Sequence, residues 1–270
     1  MPFSVLMSIY HATSSSELHS CLKSLCAQQL PATQIVLVRD GPVRPEVERC
    51  IDNFTSELPF EHIFFSENRG VGPALHDGLI ACDYDIVARV DSDDCSLPER
   101  FSLQTAFLSE NPQISAVGSW MIERYFSHNR TSTHIRKTPV DSDSIARYAR
   151  LRNPLNHPTV MLRRSHVLSS GNYQPCLMFE DYLLWIRMLI AGFRLANLPM
   201  VLVETQAGPD YFVRRGGLSY LRHELALLSK IRDLGFVSPI DALIFILTRL
   251  PVRLLPINAR NFWYRTMLRK

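Results

Sequence analysis

The chain has 270 residues, 46% of them hydrophobic and 20% charged, with a formal net charge of +3. That length suits one large α/β domain with an appendage and buries a sizeable core. The composition excludes collagen-like, disordered and mucin-like chains. No window approaches the roughly 18 uninterrupted apolar residues of a spanning helix. The first ten residues lack a basic start and read as a strand rather than a signal peptide, so a cytosolic chain is expected. Charge is uneven: residues 211–270 hold 11 Lys/Arg against 3 Asp/Glu, and the last 29 residues hold six basic side chains and no acidic one. A basic tail points to an anionic partner. The six cysteines, at 21, 26, 50, 82, 95 and 176, form no CxxC pair and are expected as reduced thiols.

The first hundred residues alternate strand and helix patterns. Residues 3–9 form an apolar strand run. Residues 17–28 carry apolar side chains at helical spacing, with Ser14, Ser15 and Ser16 as candidate caps. A second strand at 34–38 ends in Asp40-Gly41-Pro42, and 46–58 reads as helix. A third strand covers 62–65, a helix 72–81, a fourth strand 85–90, and a helix with Pro98 in its first turn runs to 109. Such steps are βαβ units of a mainly parallel sheet, whose ligands bind beyond the carboxyl ends of the strands. Polar clusters stand at three of those ends: Asp40, Asn68-Arg69-Gly70 and Asp91-Ser92-Asp93-Asp94. Further on, strands are expected at 114–122 and 159–162, a helix at 179–192 and an extended segment at 195–203. A boundary near 210 divides the chain into 1–210 and 211–270.

Asp91 and Asp93 stand at i and i+2 of an extended segment, so their carboxylates face one way and suit one hard cation such as Mg²⁺ or Mn²⁺. A cation there would neutralise a diphosphate leaving group. The alternative is an acidic turn capping the next helix. A phosphatase of the haloacid-dehalogenase kind wants its aspartate after the first strand, and a dinucleotide fold wants GxGxxG there; His11-Ala12-Thr13 provides neither.

Ala88-Arg89-Val90-Asp91-Ser92-Asp93-Asp94, then Pro98, Arg100 and Gln104, then Val117-Gly118-Ser119, resembles family 2 of the glycosyltransferases. The first strand, the Val38-Arg39-Asp40-Gly41 step and Asn68-Arg69-Gly70-Val71-Gly72 resemble it in order and spacing, over residues 3–210. The resemblance implies the GT-A fold, a Rossmann-like nucleotide-sugar-binding sheet with flanking helices, followed here by a basic helical tail. It implies inverting transfer from a nucleotide sugar. Asp40 would contact the nucleotide base, Ser8 to Tyr10 would line the uridine pocket, and Asn68, Arg69, Arg89 and Ser92 would complete the donor site. Asp91 and Asp93 would bind Mn²⁺ or Mg²⁺ and the diphosphate. Leu75-His76-Asp77 departs from the family's usual Arg-Asn or Leu-Asn pair.

Glu180-Asp181, ahead of Tyr182-Leu183-Leu184-Trp185, resembles the family's Glu-Asp motif at a helix start. Inverting transfer needs a base for the acceptor hydroxyl. Asp181 is the candidate and Glu180 the alternative. By the same resemblance His157 lies near sugar and acceptor. Arg214 and Arg215, as forked cations, suit a diphosphate. Tyr182 and Trp185 sit at core spacing.

In the tail, Ile240, Leu243, Ile244, Leu247 and Leu250 recur at helical spacing. Arg249, Arg253, Arg260, Arg265 and Arg269 are interleaved with Leu254, Leu255, Phe262, Trp263 and Tyr264, a mixture suited to lying on anionic lipid. Asp241 and the prolines at 251 and 256 argue against a span, and no nucleic-acid motif accompanies the charge. The pattern is similar to bacterial β-1,3-galactosyl- and glucosyltransferases of O-antigen and exopolysaccharide assembly. The expected reaction is therefore hexose transfer from a UDP-sugar, galactose before glucose, to a polyprenyl-diphosphate-linked GlcNAc or GalNAc at the cytoplasmic face of the inner membrane. The alternatives are a non-catalytic nucleotide-sugar-binding protein and a nucleotidyltransferase, although the latter's Gly-rich phosphate loop is absent.

Overall fold

The computed structural model describes residues 1–127, 130–207 and 216–255. The first half alternates β1 (Ser4–Tyr10), α1 (Ser15–Cys26), β2 (Gln34–Asp40), α2 (Pro45–Asp52), β3 (Phe60–Phe64), α3 (Val71–Ala81), β4 (Ile86–Asp91), β5 (Asp94–Ser96) and α4 (Arg100–Glu110). The second half holds β6 (Ile114–Ser127), β7 (Arg130–Arg136), α5 (Ser142–Tyr148), a 3₁₀ turn (His157–Thr159), β8 (Met161–Arg163), α6 (Arg164–Ser169), α7 (Glu180–Ile190), β9 (Arg194–Ala207), α8 (Gly217–Asp233) and α9 (Pro239–Leu254).

The strands form one sheet in the order β3-β2-β1-β4-β8-β6-β9-β5, with β7 beside β6. The β3-β2-β1-β4 half is parallel. Successive residues of its strands feed opposite cores. Val5, Met7, Ile9, Ile35, Leu37, Ala88 and Val90 pack with α1, α2 and α4. Leu6, Val36, Val38 and Val87 pack with α3 and α7 on the other face. Strands covered on both faces read as continuous apolar runs, which is why the parallel half is visible in the sequence. Ser14 caps α1, accepting from the Glu17 N–H. All six cysteines are free thiols.

Several expected elements have different lengths. The helix expected at 46–58 ends at Asp52, and turns follow. Phe54 and Leu58 are nonetheless buried, so the apolar spacing outlasts the helix. The strand expected at 159–162 starts as a 3₁₀ turn around Pro158. The short β5, the β6–β7 hairpin and α5 go beyond what the sequence pattern predicts.

The two last helices pack on α7. Cys176, Tyr182, Leu183 and Ile186 share a core with Leu227, Leu228 and Ile231 of α8 and with Ala242 and Phe245 of α9. Helix α9 opens with a capping box between Ser238 and Asp241. Arg249 and Arg253, grouped with the basic tail in the sequence, turn inward onto the buried Glu224 of α8, at 3.1 and 2.7 Å. The opposite face of α9 leaves Ile240, Leu243, Ile244, Leu247 and Leu250 exposed. Among the described residues no helix is long and apolar enough to cross a membrane.

Candidate active site

The sheet register brings the predicted donor residues together. Ser8 on β1 pairs with Asp91 on β4, and Tyr10 pairs with Asp40 on β2. The three strand ends therefore form one edge, with Tyr10 exposed at its rim. Asp40 is buried, and its carboxylate accepts the backbone N–H of Arg69 at 2.6 Å and of Gly70 at 2.9 Å. Asn68 Nδ2 donates to the Asp40 carbonyl at 3.2 Å. Asp40 thus shapes the 68–70 loop with both of its carboxylate oxygens. Gly41 has φ +83°, and a Cβ there would lie 2.7 Å from the Asn68 nitrogen, so the turn requires glycine. The Arg69 side chain leaves the edge, pairing with Asp77 at 2.9 Å and covering the Phe65 ring.

Asp91 ends β4 and Asp94 starts β5, while Ser92 and Asp93 form a turn between them rather than the extended run expected. Asp91 and Ser92 are half-buried, Asp93 is exposed, and Asp94 is buried at the start of β5, opposite Thr205. Burial, with Asp91 and Asp93 beside it, pushes the Asp94 carboxyl well above the usual range. Arg89 is buried and donates to Oδ1 of Asp91. The fully buried Arg100 donates to the Arg89 carbonyl at 2.7 Å, and Gln104 Nε2 donates to the carbonyls of Val117 and Thr159. The motif residues at 100 and 104 thus brace β4 from behind rather than line the cleft.

Two carboxylates offering only oxygen are the kind of donors that suit Mg²⁺ or Mn²⁺. Arg89 takes one oxygen of Asp91; the other, with the carboxylate of Asp93, would hold the cation. Among the described residues no larger cluster of His, Cys, Asp and Glu competes for it. Water and a diphosphate would complete the coordination shell.

Across the cleft, Glu180 and Asp181 begin α7, where the helix dipole favours negative charge. Oδ2 of Asp181 accepts from Asn153 Nδ2 at 2.6 Å, and Oδ1 accepts the Tyr182 N–H at 2.7 Å. Burial, then the neighbouring Asp181, pushes the Glu180 carboxyl up to about 8. His157 and Tyr173 are joined Nε2 to hydroxyl at 3.0 Å. Burial, then Arg89, lowers His157 to about 4, and it also senses Asp181 and Asp91. Burial pushes the Tyr173 phenol up, and its surroundings include Arg89, Asp181, Glu180 and Asp91. One ring pair therefore feels charges from both sides of the cleft.

Sequence reasoning missed Asn153 and Tyr173, each in a segment without periodicity. Tyr182 and Trp185 are buried, as their spacing predicts. Arg214 and Arg215 lie outside the described residues, as do Arg260, Arg265 and Arg269.

The profile of glycosyl transferase family 2 matches residues 4–171. The chain belongs to this family. It is 36% identical to the amylovoran biosynthesis glycosyltransferase AmsE of Erwinia amylovora, covering 97% of each chain. It is 32% identical to the UDP-Gal:alpha-D-GlcNAc-diphosphoundecaprenol beta-1,3-galactosyltransferase of Escherichia coli, covering 99% of this chain and 97% of that enzyme. In structure it is similar to S. aureus TarS 1–349 in complex with UDP-GlcNAc, with a TM-score of 0.66 at 18% identity, covering 86% of this chain and 66% of that one. This family 2 glycosyltransferase thus has the GT-A fold, as its sequence motifs imply.

Proposed function

We infer that this glycosyltransferase moves galactose, with glucose as second choice, from its UDP-sugar to a GlcNAc or GalNAc carried on a polyprenyl diphosphate. The product linkage is β-1,3, and the setting is O-antigen or exopolysaccharide assembly. Similarity to the E. coli galactosyltransferase along nearly the whole chain supports the substrates. The observation that carries the chemistry is the His157–Tyr173 pair, joined at 3.0 Å, whose electrostatic surroundings include both Asp91 and Asp181. This supports a donor diphosphate at Asp91 and an acceptor base at Asp181 acting on one substrate pair.

In this reading Asp40 and the β1 end hold the uridine, while Asp91 and Asp93 hold the metal. The metal, Mn²⁺ or Mg²⁺, supplies positive charge to the leaving diphosphate. Asp181 takes the proton of the acceptor hydroxyl. That oxygen bonds to the anomeric carbon as the bond to the diphosphate oxygen breaks on the opposite face, so the anomeric centre inverts and UDP leaves. Glu180, with its pKa near 8, is mostly protonated at neutral pH, so only a minor fraction of it is free to take a proton. Neutral His157 accepts or donates a hydrogen bond without adding charge. Arg214 and Arg215 assist at the diphosphate.

Residues 1–210 carry transfer, and residues 211–270 bring the enzyme to the lipid that carries the acceptor. The exposed aliphatic ridge of α9 supports contact with an anionic membrane surface, and so do the four basic and no acidic residues after position 255. The site would then work at the cytoplasmic face of the inner membrane as a peripheral enzyme.

The test is UDP release from UDP-Gal, UDP-Glc and their N-acetyl forms, with Mn²⁺ or EDTA, with and without a synthetic GlcNAc-diphosphate-lipid. Release that depends on metal and acceptor, from UDP-Gal above the others, is expected. UDP binding with no turnover on any donor would overturn the reading in favour of a binding protein.

A further inference from the structure

Asp181 is held by a residue outside its own helix. Asn153 Nδ2 reaches Oδ2 of Asp181 at 2.6 Å, and the Tyr182 N–H takes Oδ1 at 2.7 Å. The first contact fixes the plane of the carboxylate, which a helix-start side chain would otherwise sweep. Oδ1 of Asn153 is buried with no partner among the described residues, so the amide is committed to Asp181 through its nitrogen end.

The segment bearing Asn153 is pinned at successive residues. The Ala149 carbonyl accepts from the Tyr182 hydroxyl at 2.8 Å. Arg150 pairs with Asp241 of α9 at 3.8 Å. The Leu151 carbonyl accepts from Arg249 Nη2 of α9, and Nε of the same guanidinium is anchored on Glu224 of α8 at 3.1 Å. The Pro154 carbonyl accepts from Asn197 at 3.1 Å. Two of these pins come from α9, the helix whose other face is the exposed aliphatic ridge.

We propose that Asn153 is a positioning residue for the Asp181 carboxylate, and that Arg249 of α9 sets its place through the Leu151 carbonyl. The proposal rests on Asp181 being the base. A neutral amide suits this role, because it donates to the carboxylate without adding a titrating group and uses only one of the lone pairs on Oδ2 of Asp181. The charged face of α9 thereby carries geometry to the base, while its apolar face is free for lipid.

The experiment is steady-state UDP release by the full chain with UDP-Gal, Mn²⁺ and GlcNAc-diphosphate-lipid, beside UDP calorimetry and thermal melting. Asn153→Ala is expected to lower kcat 10- to 100-fold, with donor KM and UDP affinity within twofold of wild type. Asn153→Asp sets a second carboxylate against Asp181 while Glu180, His157 and Tyr173 stay in place. It is expected to move the acid limb of kcat upward by about one pH unit. Arg249→Met is expected to lower kcat 3- to 10-fold, and the Asn153→Ala/Arg249→Met double variant to fall no further than Asn153→Ala alone. Arg249→Lys, which keeps a cation beside Glu224, serves if the Met variant melts early. Asp181→Asn separates the two readings: wild-type turnover by it would overturn the base assignment. A dead Asp181→Asn together with wild-type kcat and pH profile in both Asn153 variants would overturn the positioning role. Fully multiplicative losses in the double variant would overturn the part given to Arg249.

Discussion

Oδ2 of Asp40 accepts the backbone N–H of Gly70 at 2.9 Å, tying the end of β2 to the loop that starts α3. The Arg69 N–H takes Oδ1, so both oxygens anchor the same loop. Asp40→Asn would turn an NH₂ toward one of those N–H groups and leave a buried donor unsatisfied, a cost of about 1–3 kcal/mol. Thermal melting should fall by several degrees. In UDP-release kinetics the donor KM should rise several-fold more than kcat falls, because the loop borders the strand edge proposed to hold the nucleotide. Gly41→Ala, strained at φ +83° and facing the Asn68 nitrogen, should act in the same direction.

The parallel half of the sheet and the polar strand ends were legible because each follows a local rule: continuous apolar runs for doubly covered strands, polar residues where they stop. The Asp91-Ser92-Asp93-Asp94 run was legible as a polar strand end but not in how its residues divide. Asp94 turns inward only because β5 pairs with β9 from more than a hundred residues away. Asn153 was illegible for a similar reason, since its role comes from a contact with Asp181 across 28 positions. Arg249 and Arg253 looked like part of the basic tail. Their partner, Glu224, lies a helix earlier, and helix spacing alone does not reveal such pairing.

The proposed lipid contact predicts a separation between face and fold. Leu243→Asp and Leu247→Asp alter exposed positions of α9 and should leave the melting temperature within about 2 °C of wild type, since surface changes typically cost under 0.5 kcal/mol. Flotation with vesicles containing phosphatidylglycerol should drop at least fivefold. Turnover of a water-soluble, short-chain acceptor should persist. Unchanged flotation by both variants would remove α9 from the membrane contact.

Glu180 predicts a stability signature against pH. Its carboxyl, pushed up to about 8 by burial and then by Asp181, is favoured neutral in the fold but ionises near 4.5 in the unfolded chain. The folded state therefore binds the extra proton between those values. The stabilising contribution is full below about 4.5 and is lost as pH rises through about 8. Glu180→Gln keeps the neutral shape and should match wild type at pH 5 yet melt higher than wild type at pH 8.5. Equal melting temperatures at both values would show that the carboxylate is well hydrated in the fold.

The His157–Tyr173 pair predicts which limb of the rate profile is absent. Burial and Arg89 lower His157 to about 4, so the ring is neutral throughout an assay between pH 5.5 and 9. Tyr173→Phe removes the hydroxyl that meets Nε2 at 3.0 Å and leaves a buried ring nitrogen unpartnered, at a cost of about 1–3 kcal/mol. That should appear as a lower melting temperature and a lower kcat, because both Asp181 and Asp91 lie in the electrostatic surroundings of the ring. The pH profile of kcat should keep the wild-type shape, since no titrating group of the working range has been touched. His157→Gln should likewise lower kcat without displacing either limb. A limb near 6.5 that vanishes in His157→Gln would mean that the ring is protonated in the working enzyme, and that it carries charge to the diphosphate.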